Sequence, residues 1–374
     1  MPVKVILVAG ARPNFMKIAP LWTEINRLPS HFEPIILHTG QHYDYEMSKV
    51  FFEDLDLPEP HYFLGVGSGT HAEQTGRIMI EFERVIQSEN PGLVVVFGDI
   101  NSTLACTVTA KKLCIPVAHV EAGLRSFDMA MPEEINRKVT DSISDMLFTP
   151  SRDGNENLIR EGVERNKIHF VGNIMIDSLV SISKRIDQTY EDGVFRKLGL
   201  KRNHFALVTL HRPSNVDDRN SLRRVMNFLN TLSGKIPVIF PVHPRTKKNI
   251  NGFDKGFIPN KALSIVEPLR YREFITLEKY SSFVLTDSGG IQEETTYLNV
   301  PCLTLRPNTE RPITISQGTN ELVSMDNIEG RMDIILSGDW KQGKRPELWD
   351  GKTAKRIVDL LKGMEIQGND SGDC

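Results

Sequence analysis

Short runs of aliphatic and β-branched residues alternate with amphipathic stretches along nearly the whole chain, and the alternation runs through twice. In the first half, apolar runs stand at 3–8, 35–38, 93–97, 117–120, 146–149 and 168–171. Helical patterns begin at about Pro13, near Met47, at Ser102, at Pro132 and near Asn155. A run of four to eight apolar residues between turn residues is too short for a helix and too apolar for a strand with one wet face, so it reads as a strand buried on both faces. Strands separated by single helices build βαβ units and a parallel sheet. After Gly172 the pattern restarts with a helix near Asp177 and runs at 206–210, 238–241, 263–266, 283–285 and 302–305.

A chain of 374 residues exceeds what one hydrophobic core organises, which agrees with two α/β domains. The pattern places the first over 1–172 and the second over 173–352, with a closing amphipathic helix from 353 and a disordered tail at the C-terminal end of 353–374. A formal charge of -3 gives no field for nucleic acid, so basic residues that matter should converge on a small anion. The chain enters a strand at once, without a charged n-region and long apolar segment, which points to the cytoplasm and away from a membrane. Cys106, Cys114 and Cys302 sit in apolar contexts and read as buried reduced thiols, while the ten histidines form no recognisable ligand set, so neither structural zinc nor a catalytic metal is expected.

In parallel sheets ligands bind beyond the carboxyl ends of strands, and here those ends are rich in polar residues. Asp99 and Glu121 follow consecutive strands that a right-handed crossover makes neighbours, roughly 4.8 Å apart. Like charges held close raise the pKa of one partner and make a carboxyl group usable for proton transfer. The competing reading pairs Asp99 with Lys17 and Glu121 with Arg125 as structural ion pairs. Glu133 and Glu134 stand in the first turn of a helix, where only one of them faces the site and Glu133 has Arg137 within reach four residues on. His211 ends an apolar run and heads the histidine candidates, with His243 second; His119 reads as packing or orienting a carboxylate, and His31, His61, His169 and His204 as surface residues. Ser288-Gly289-Gly290 follows a strand and opens a helix, offering free N–H groups to a diphosphate, and Glu294 lies one turn beyond, placed to accept from ribose hydroxyls. Alternatively Asp287 or Ser288 only caps that helix and Glu294 is a surface acid. The glycine-rich stretch 65–70 lacks the ending of a P-loop and reads as a mobile loop beside the site.

Gly10-Ala-Arg-Pro with Lys17, Gly40-Gln-His, Gly98-Asp99, His119-Val-Glu-Ala-Gly-Leu-Arg125, Pro132-Glu-Glu-Ile-Asn-Arg137, Asp287-Ser-Gly-Gly-Ile-Gln-Glu-Glu294 and Glu310-Arg-Pro312 occur in one order. In these motifs the chain resembles the non-hydrolysing UDP-N-acetylglucosamine 2-epimerases over nearly its whole length. The resemblance implies a GT-B fold, two Rossmann-like domains facing a central cleft, often dimeric, with a C-terminal helix crossing back onto the first domain. It implies catalytic roles for Asp99, Glu121, Glu133 and His211, and site-lining or phosphate-facing roles for Arg12 and Lys17. It further implies UDP binding by His243, Phe274, Ser288, Gly289, Gly290 and Glu294, with Phe274 against uracil. Where many members carry Arg-Glu-Asn after the histidine, this chain reads Arg212-Pro-Ser-Asn215, a departure that bears on the loop's contacts and on the sugar. By the same resemblance, the segment around Gln41 to Glu46 bears on a regulatory UDP-N-acetylglucosamine site of some relatives.

The expected reaction is anti elimination of UDP across C1 and C2 to a 2-acetamidoglucal and re-addition on the opposite face of C2. It needs no cofactor, and no G-x-G-x-x-G follows the first strand. A hydrolysing epimerase releasing N-acetylmannosamine and UDP, a GT-B glycosyltransferase and a non-catalytic sugar-nucleotide sensor are the rival readings.

Overall fold

A computed structural model describes residues 1–41, 52–242, 244–251 and 259–363. The helix expected near Met47, His243 and the tail at 368–374 lie outside these residues. The chain divides into two compact units, Met1–Val180 together with the chain from Glu347 onward, and Ser181–Pro346.

The first unit contains β1 (Val3–Ala9), α1 (Arg12–Ile25), β2 (Phe32–His38), β3 (Tyr62–Phe63), α2 (His71–Glu89), β4 (Leu93–Phe97), α3 (Asn101–Lys112), β5 (Val117–Val120), α4 (Pro132–Ile143), β6 (Met146–Thr149), α5 (Arg152–Arg160) and β7 (Ile168–Phe170), and α6 (Ile174–Ser183) runs past its end. Its strands lie in the order β3-β2-β1-β4-β5-β6-β7, every pair parallel. Burial on both faces explains the unbroken apolar runs: all five residues of β4 are buried. The order reverses between β1 and β4, and the chain after each of these strands therefore borders a crevice.

Local sequence explains how the helices start and bend. Thr70 caps α2, accepting from the Glu73 N–H while the Glu73 carboxylate accepts from the Thr70 N–H, and the helix buries Gln74, Ile78, Phe82, Val85 and Ile86 along one face. Pro20 interrupts α1 and has no N–H to give the carbonyl of Met16, and the Ser178 hydroxyl of α6 donates to that carbonyl instead.

The second unit holds α7 (Gln188–Leu198), β8 (Ala206–Thr209), α8 (Arg219–Ser233), β9 (Val238–Pro241), α9 (Pro244–Asn251), β10 (Leu263–Val266), α10 (Tyr271–Lys279), β11 (Phe283–Thr286), α11 (Gly289–Leu298), β12 (Cys302–Leu305), β13 (Asn320–Val323) and α12 (Ile328–Leu336). Its sheet order is β10-β9-β8-β11-β12-β13, again parallel and again reversing beside the unit's first strand. Both units are thus Rossmann-like.

From Glu347 the chain belongs to the first unit, where α13 (Thr353–Gly363) packs on α1. Trp349, almost fully buried, donates its indole N–H to the Pro150 carbonyl at 2.9 Å. Asp177 of α6 accepts from the Ala354 N–H at 2.8 Å and so satisfies the first turn of α13.

Two sequence expectations need correction. Cys114 is exposed in the turn after α3, with φ of 56°, and is not a free thiol, whereas Cys106 and Cys302 are free and buried. His169 is half-buried, its pKa lowered by desolvation. The 65–70 stretch forms no helix or strand; Val66 and Gly67 donate to the carbonyls of Thr39 and Gly40, and Gln74 donates to the Gly67 carbonyl.

Candidate active-site residues

In the first unit the strand ends around the order reversal are joined by short polar side chains. Asn14 of α1 accepts from the Gly10 and Ala11 N–H groups at 3.1 and 2.9 Å and donates to the Phe97 carbonyl at 3.2 Å, which ties the end of β1 to the end of β4. One turn further along α1, the buried Lys17 ammonium pairs with the Glu121 carboxylate beyond β5. Gly98 makes this approach possible. Its φ is 66°, and a Cβ there would stand 3.1 Å from Lys17 Nζ and 3.3 Å from Glu121 Oε2. Glu121 itself sits in the left-handed region with φ of 73°, a conformation costing a non-glycine residue about 1–3 kcal/mol and held in place by its surroundings.

Asp99 and Glu121 do follow adjacent strands, but neither expected ion pair forms. Lys17 takes Glu121, while Arg137 of α4 donates to Asp99 Oδ2 from Nε at 3.0 Å and from Nη2 at 2.6 Å. Arg125 instead bonds Asp141 and Glu161. Each of the two carboxylates therefore has its own cation. Asn136 holds the Asp99 carbonyl at 2.9 Å.

His119 is buried between two acceptors, Asp141 Oδ1 at 2.7 Å and the Gly98 carbonyl at 2.8 Å, which fixes the turn that carries Asp99. Asp141 also accepts from the Gly123 N–H and pairs with Arg125. Burial opposes its charge, but His119 and Arg125 outweigh that and keep its pKa below the ordinary carboxylate value.

The neighbouring pair Glu133 and Glu134 splits as helix geometry demands. Glu134 is fully buried and accepts from Ser126 N–H and hydroxyl, the Phe127 N–H and Arg137, so it builds the loop before α4. Arg137 is its partner three residues on, not that of Glu133. Glu133 is half-exposed and lines a cavity of about 290 Å³ with Gln41, Ser68, His71, Asn101 and Asn136. Arg12 is exposed at the first position of α1.

In the second unit the hub is Asp287, fully buried beyond β11. Its carboxylate accepts from the N–H groups of His211 and Arg212 and from Asn215 Nδ2 at 2.9–3.1 Å, and His211 Nδ1 stands 3.2 Å from it. Asp287 therefore does not cap α11; it fastens the segment 211–215 after β8, which enters the short helix Pro213–Val216, across the order reversal and leaves the His211 side chain about half exposed. Ser288, the N-cap residue of α11, makes no side-chain cap bond, so Gly289 and Gly290 open a helix whose first N–H groups lack that acceptor. Arg311 lies against this start: a Cβ on Gly289 would meet its guanidinium at 2.5 Å, and Glu293 and Glu310 orient it. Sequence reasoning noted Glu310-Arg-Pro312 without giving Arg311 a role; only the fold brings it to Gly289.

Glu294 is buried rather than a surface acid. Its pKa is raised to about 7, burial being the main cause and Glu293 adding to it, against the Tyr271 hydroxyl that donates to Oε1. Phe274 is half-buried and packs against the apolar cluster of Phe195, Leu277 and Val284. His243 is outside the described residues, so its predicted place beside this site stays an expectation. Among the described residues no group of His, Cys, Asp and Glu side chains is arranged to hold a metal ion, and no helix is long and apolar enough to cross a membrane.

The family model of UDP-N-acetylglucosamine 2-epimerase matches residues 24–362. The UDP-N-acetylglucosamine 2-epimerase of Methanocaldococcus jannaschii is 44% identical over 366 residues, which cover 96% of this chain and 98% of that protein. The UDP-2,3-diacetamido-2,3-dideoxy-D-glucuronate 2-epimerase of Pseudomonas aeruginosa is 42% identical over 367 residues, 96% and 99% of the two chains. The crystal structure of the Methanocaldococcus jannaschii UDP-GlcNAc 2-epimerase in complex with UDP-GlcNAc and UDP matches with a TM-score of 0.85 at 42% identity, over 96% of this chain and 99% of that one. Sequence likeness and structural likeness thus extend over nearly the whole length, the fold is the two-unit GT-B type, and this chain belongs to the UDP-N-acetylglucosamine 2-epimerase family.

Proposed function

We propose that the protein interconverts UDP-N-acetylglucosamine and UDP-N-acetylmannosamine by eliminating UDP to a 2-acetamidoglucal and adding it back, without hydrolysis. Loss of the C2 proton and cleavage of the C1–O bond give UDP and the glucal; return of UDP to C1 with a proton delivered to the other face of C2 gives the epimer. Two faces require two proton carriers. The observation that supports this reading is the arrangement at the strand ends of the first unit, where Asp99 and Glu121 follow adjacent strands, each set by its own cation, and Glu133 lies in the first turn of α4, the helix whose Arg137 pairs with Asp99.

In this scheme Asp99, Glu121 and Glu133 transfer protons at C2 or stabilise positive charge at C1. Arg12, Lys17 and His211 assist the departing diphosphate. The second unit holds the nucleotide: the open start of α11 at Ser288, Gly289 and Gly290 takes the diphosphate, Glu294 the ribose hydroxyls, and Phe274 and His243 the rest of UDP.

Turnover in deuterium oxide tests the chemistry. Deuterium should enter C2 of the product, followed by NMR, with no nicotinamide added. Protium retained at C2 after many turnovers refutes elimination, and free N-acetylmannosamine accumulating in step with UDP makes the enzyme hydrolysing. The Pseudomonas aeruginosa relative favours a second substrate, UDP-2,3-diacetamido-2,3-dideoxy-D-glucuronate, which belongs in the same assay.

A further inference from the structure

Glu278 of α10 is fully buried, and among the described residues no donor reaches either of its carboxyl oxygens. The carboxyl group of Glu294 lies on α11, the helix packed against α10, and the two carboxyl groups act on one another. Two carboxylates only accept, so as a pair of anions they would repel and Glu278 would be a buried charge with nothing to neutralise it. Such a charge costs several kcal/mol, and the group takes up a proton instead. One proton resolves both problems. A carboxylic acid at Glu278 donates to Glu294, which keeps one negative charge and its remaining lone pairs.

Among the described residues, the groups around the pair supply no other compensation. Tyr271, on the same helix as Glu278, already donates to Glu294. Glu293 adds negative charge beside Glu294 and is itself paired with Arg311. Cys302 of β12 is fully buried, and burial pushes its thiol up to about 12, so it stays neutral. Lys341, which acts on Cys302 from the chain after α12, bonds the carbonyls of Ile315 and Asn320.

We propose that Glu278 and Glu294 share one proton, so that the ribose hydroxyls of the nucleotide meet a hydrogen-bonded acid–carboxylate pair and not a lone carboxylate, with Glu278 as the positioning residue. The proposal rests on the assignment of Glu294 to the ribose. Both groups are displaced in the direction it requires, Glu278 well above the ordinary glutamate value and Glu294 to about 7, burial being the largest cause for each. The pair titrates as a unit. Ribose donors stabilise the charge on Glu294, so UDP binding should strengthen as pH rises through neutrality, and the Glu278 proton is what allows that charge to form.

The test is UDP affinity by calorimetry from pH 6 to 9 for the wild type, Glu278→Gln and Glu278→Met. Glutamine still donates to Glu294 and should bind UDP within about twofold of wild type at pH 7.5. Methionine removes the donor and should bind roughly fivefold more weakly there, its pH profile displaced upward. A Glu278→Met profile that runs parallel to wild type at every pH, or a Glu278→Gln variant as weak as Glu278→Met, would overturn the proposal. Infrared difference spectra read the pair without nucleotide: the carbonyl stretch of a buried protonated carboxyl group should be present in the wild type at pH 7.5 and lost in Glu278→Gln, and its absence from the wild type refutes the shared proton. Wild-type UDP affinity in Glu294→Ala would instead overturn the ribose assignment, while the infrared band still decides the pair.

Discussion

Lys17→Met isolates what the buried ion pair at the strand ends contributes. The Lys17 side chain is 9% exposed and that of Glu121 2%, so neither charge keeps its hydration. Removing one partner of such a pair leaves the other uncompensated and costs about 3–5 kcal/mol. Lys17→Met and Glu121→Gln should each destabilise the first unit by that order, whereas Lys17→Met combined with Glu121→Gln removes both charges and should recover most of the loss. A coupling of at least about 2 kcal/mol in the double-mutant cycle follows. Hydrogen exchange of the β4 and β5 amides reads the first unit separately from the second, which global unfolding of a two-unit chain does not. Turnover is measured on the same proteins, and the double variant should regain stability without regaining activity. If the two single costs simply add, the pair is not a coupled buried unit and the reasoning fails. If the double variant turns over at the wild-type rate, Glu121 is structural.

Asp177, which caps α13, has its pKa pushed from its ordinary 3.8 to about 6, chiefly by burial, with the N–H groups of Ala354 and Thr353 opposing. The folded chain then holds a proton that the unfolded chain has released, so this stabilisation is complete below about pH 4 and is lost, by about 3 kcal/mol, as pH rises through about 6. Asp177→Asn should abolish that slope and protect the α13 amides better than wild type at pH 7.5; an equal slope in both proteins counts against it. Asp287→Ala leaves the N–H groups of His211 and Arg212 and the Asn215 amide without their shared acceptor, and should destabilise the second unit by about 3–5 kcal/mol and weaken UDP binding by calorimetry, with Asp287→Asn less severe.

The βαβ alternation was legible because a strand buried on both faces has to be apolar throughout, and the runs at 93–97, 117–120, 146–149, 238–241, 263–266 and 302–305 coincide with strands. β3 and β13 escaped notice for the opposite reason: Tyr62–Phe63 is two residues long, and Asn320–Val323 includes polar residues of an edge strand. Polar positions at strand ends were also legible, since connectivity puts Asp99 and Glu121 on neighbouring strands. Their partners were not. Lys17, Arg125 and Arg137 all lie within reach in sequence terms, and which cation meets which carboxylate depends on helix rotation about the sheet. Cys114 was misread because its apolar neighbours, Leu113 and Ile115, suggested burial, while the turn directs the residue between them outward.

Both units face the same problem at the point where strand order reverses: two loops leave parallel strands side by side and must be fastened without a ladder between them. In the first unit the loop after β1 offers two N–H donors and β4 offers a carbonyl acceptor. Only a side chain that accepts and donates can join them, and the amide of Asn14 does both. In the second unit the chain after β8 presents donors alone, two N–H groups and the Asn215 amide, so the acceptor-only carboxylate of Asp287 suits it. An aspartate at position 14 would set a charge against the Phe97 carbonyl, and an asparagine at 287 would turn an amide donor toward another donor. The residue types at these fastenings therefore follow from the mix of backbone groups at each reversal, and of the groups proposed for the chemistry Lys17, paired with Glu121, stands one turn beyond Asn14, while His211 is itself one of the residues that Asp287 fastens.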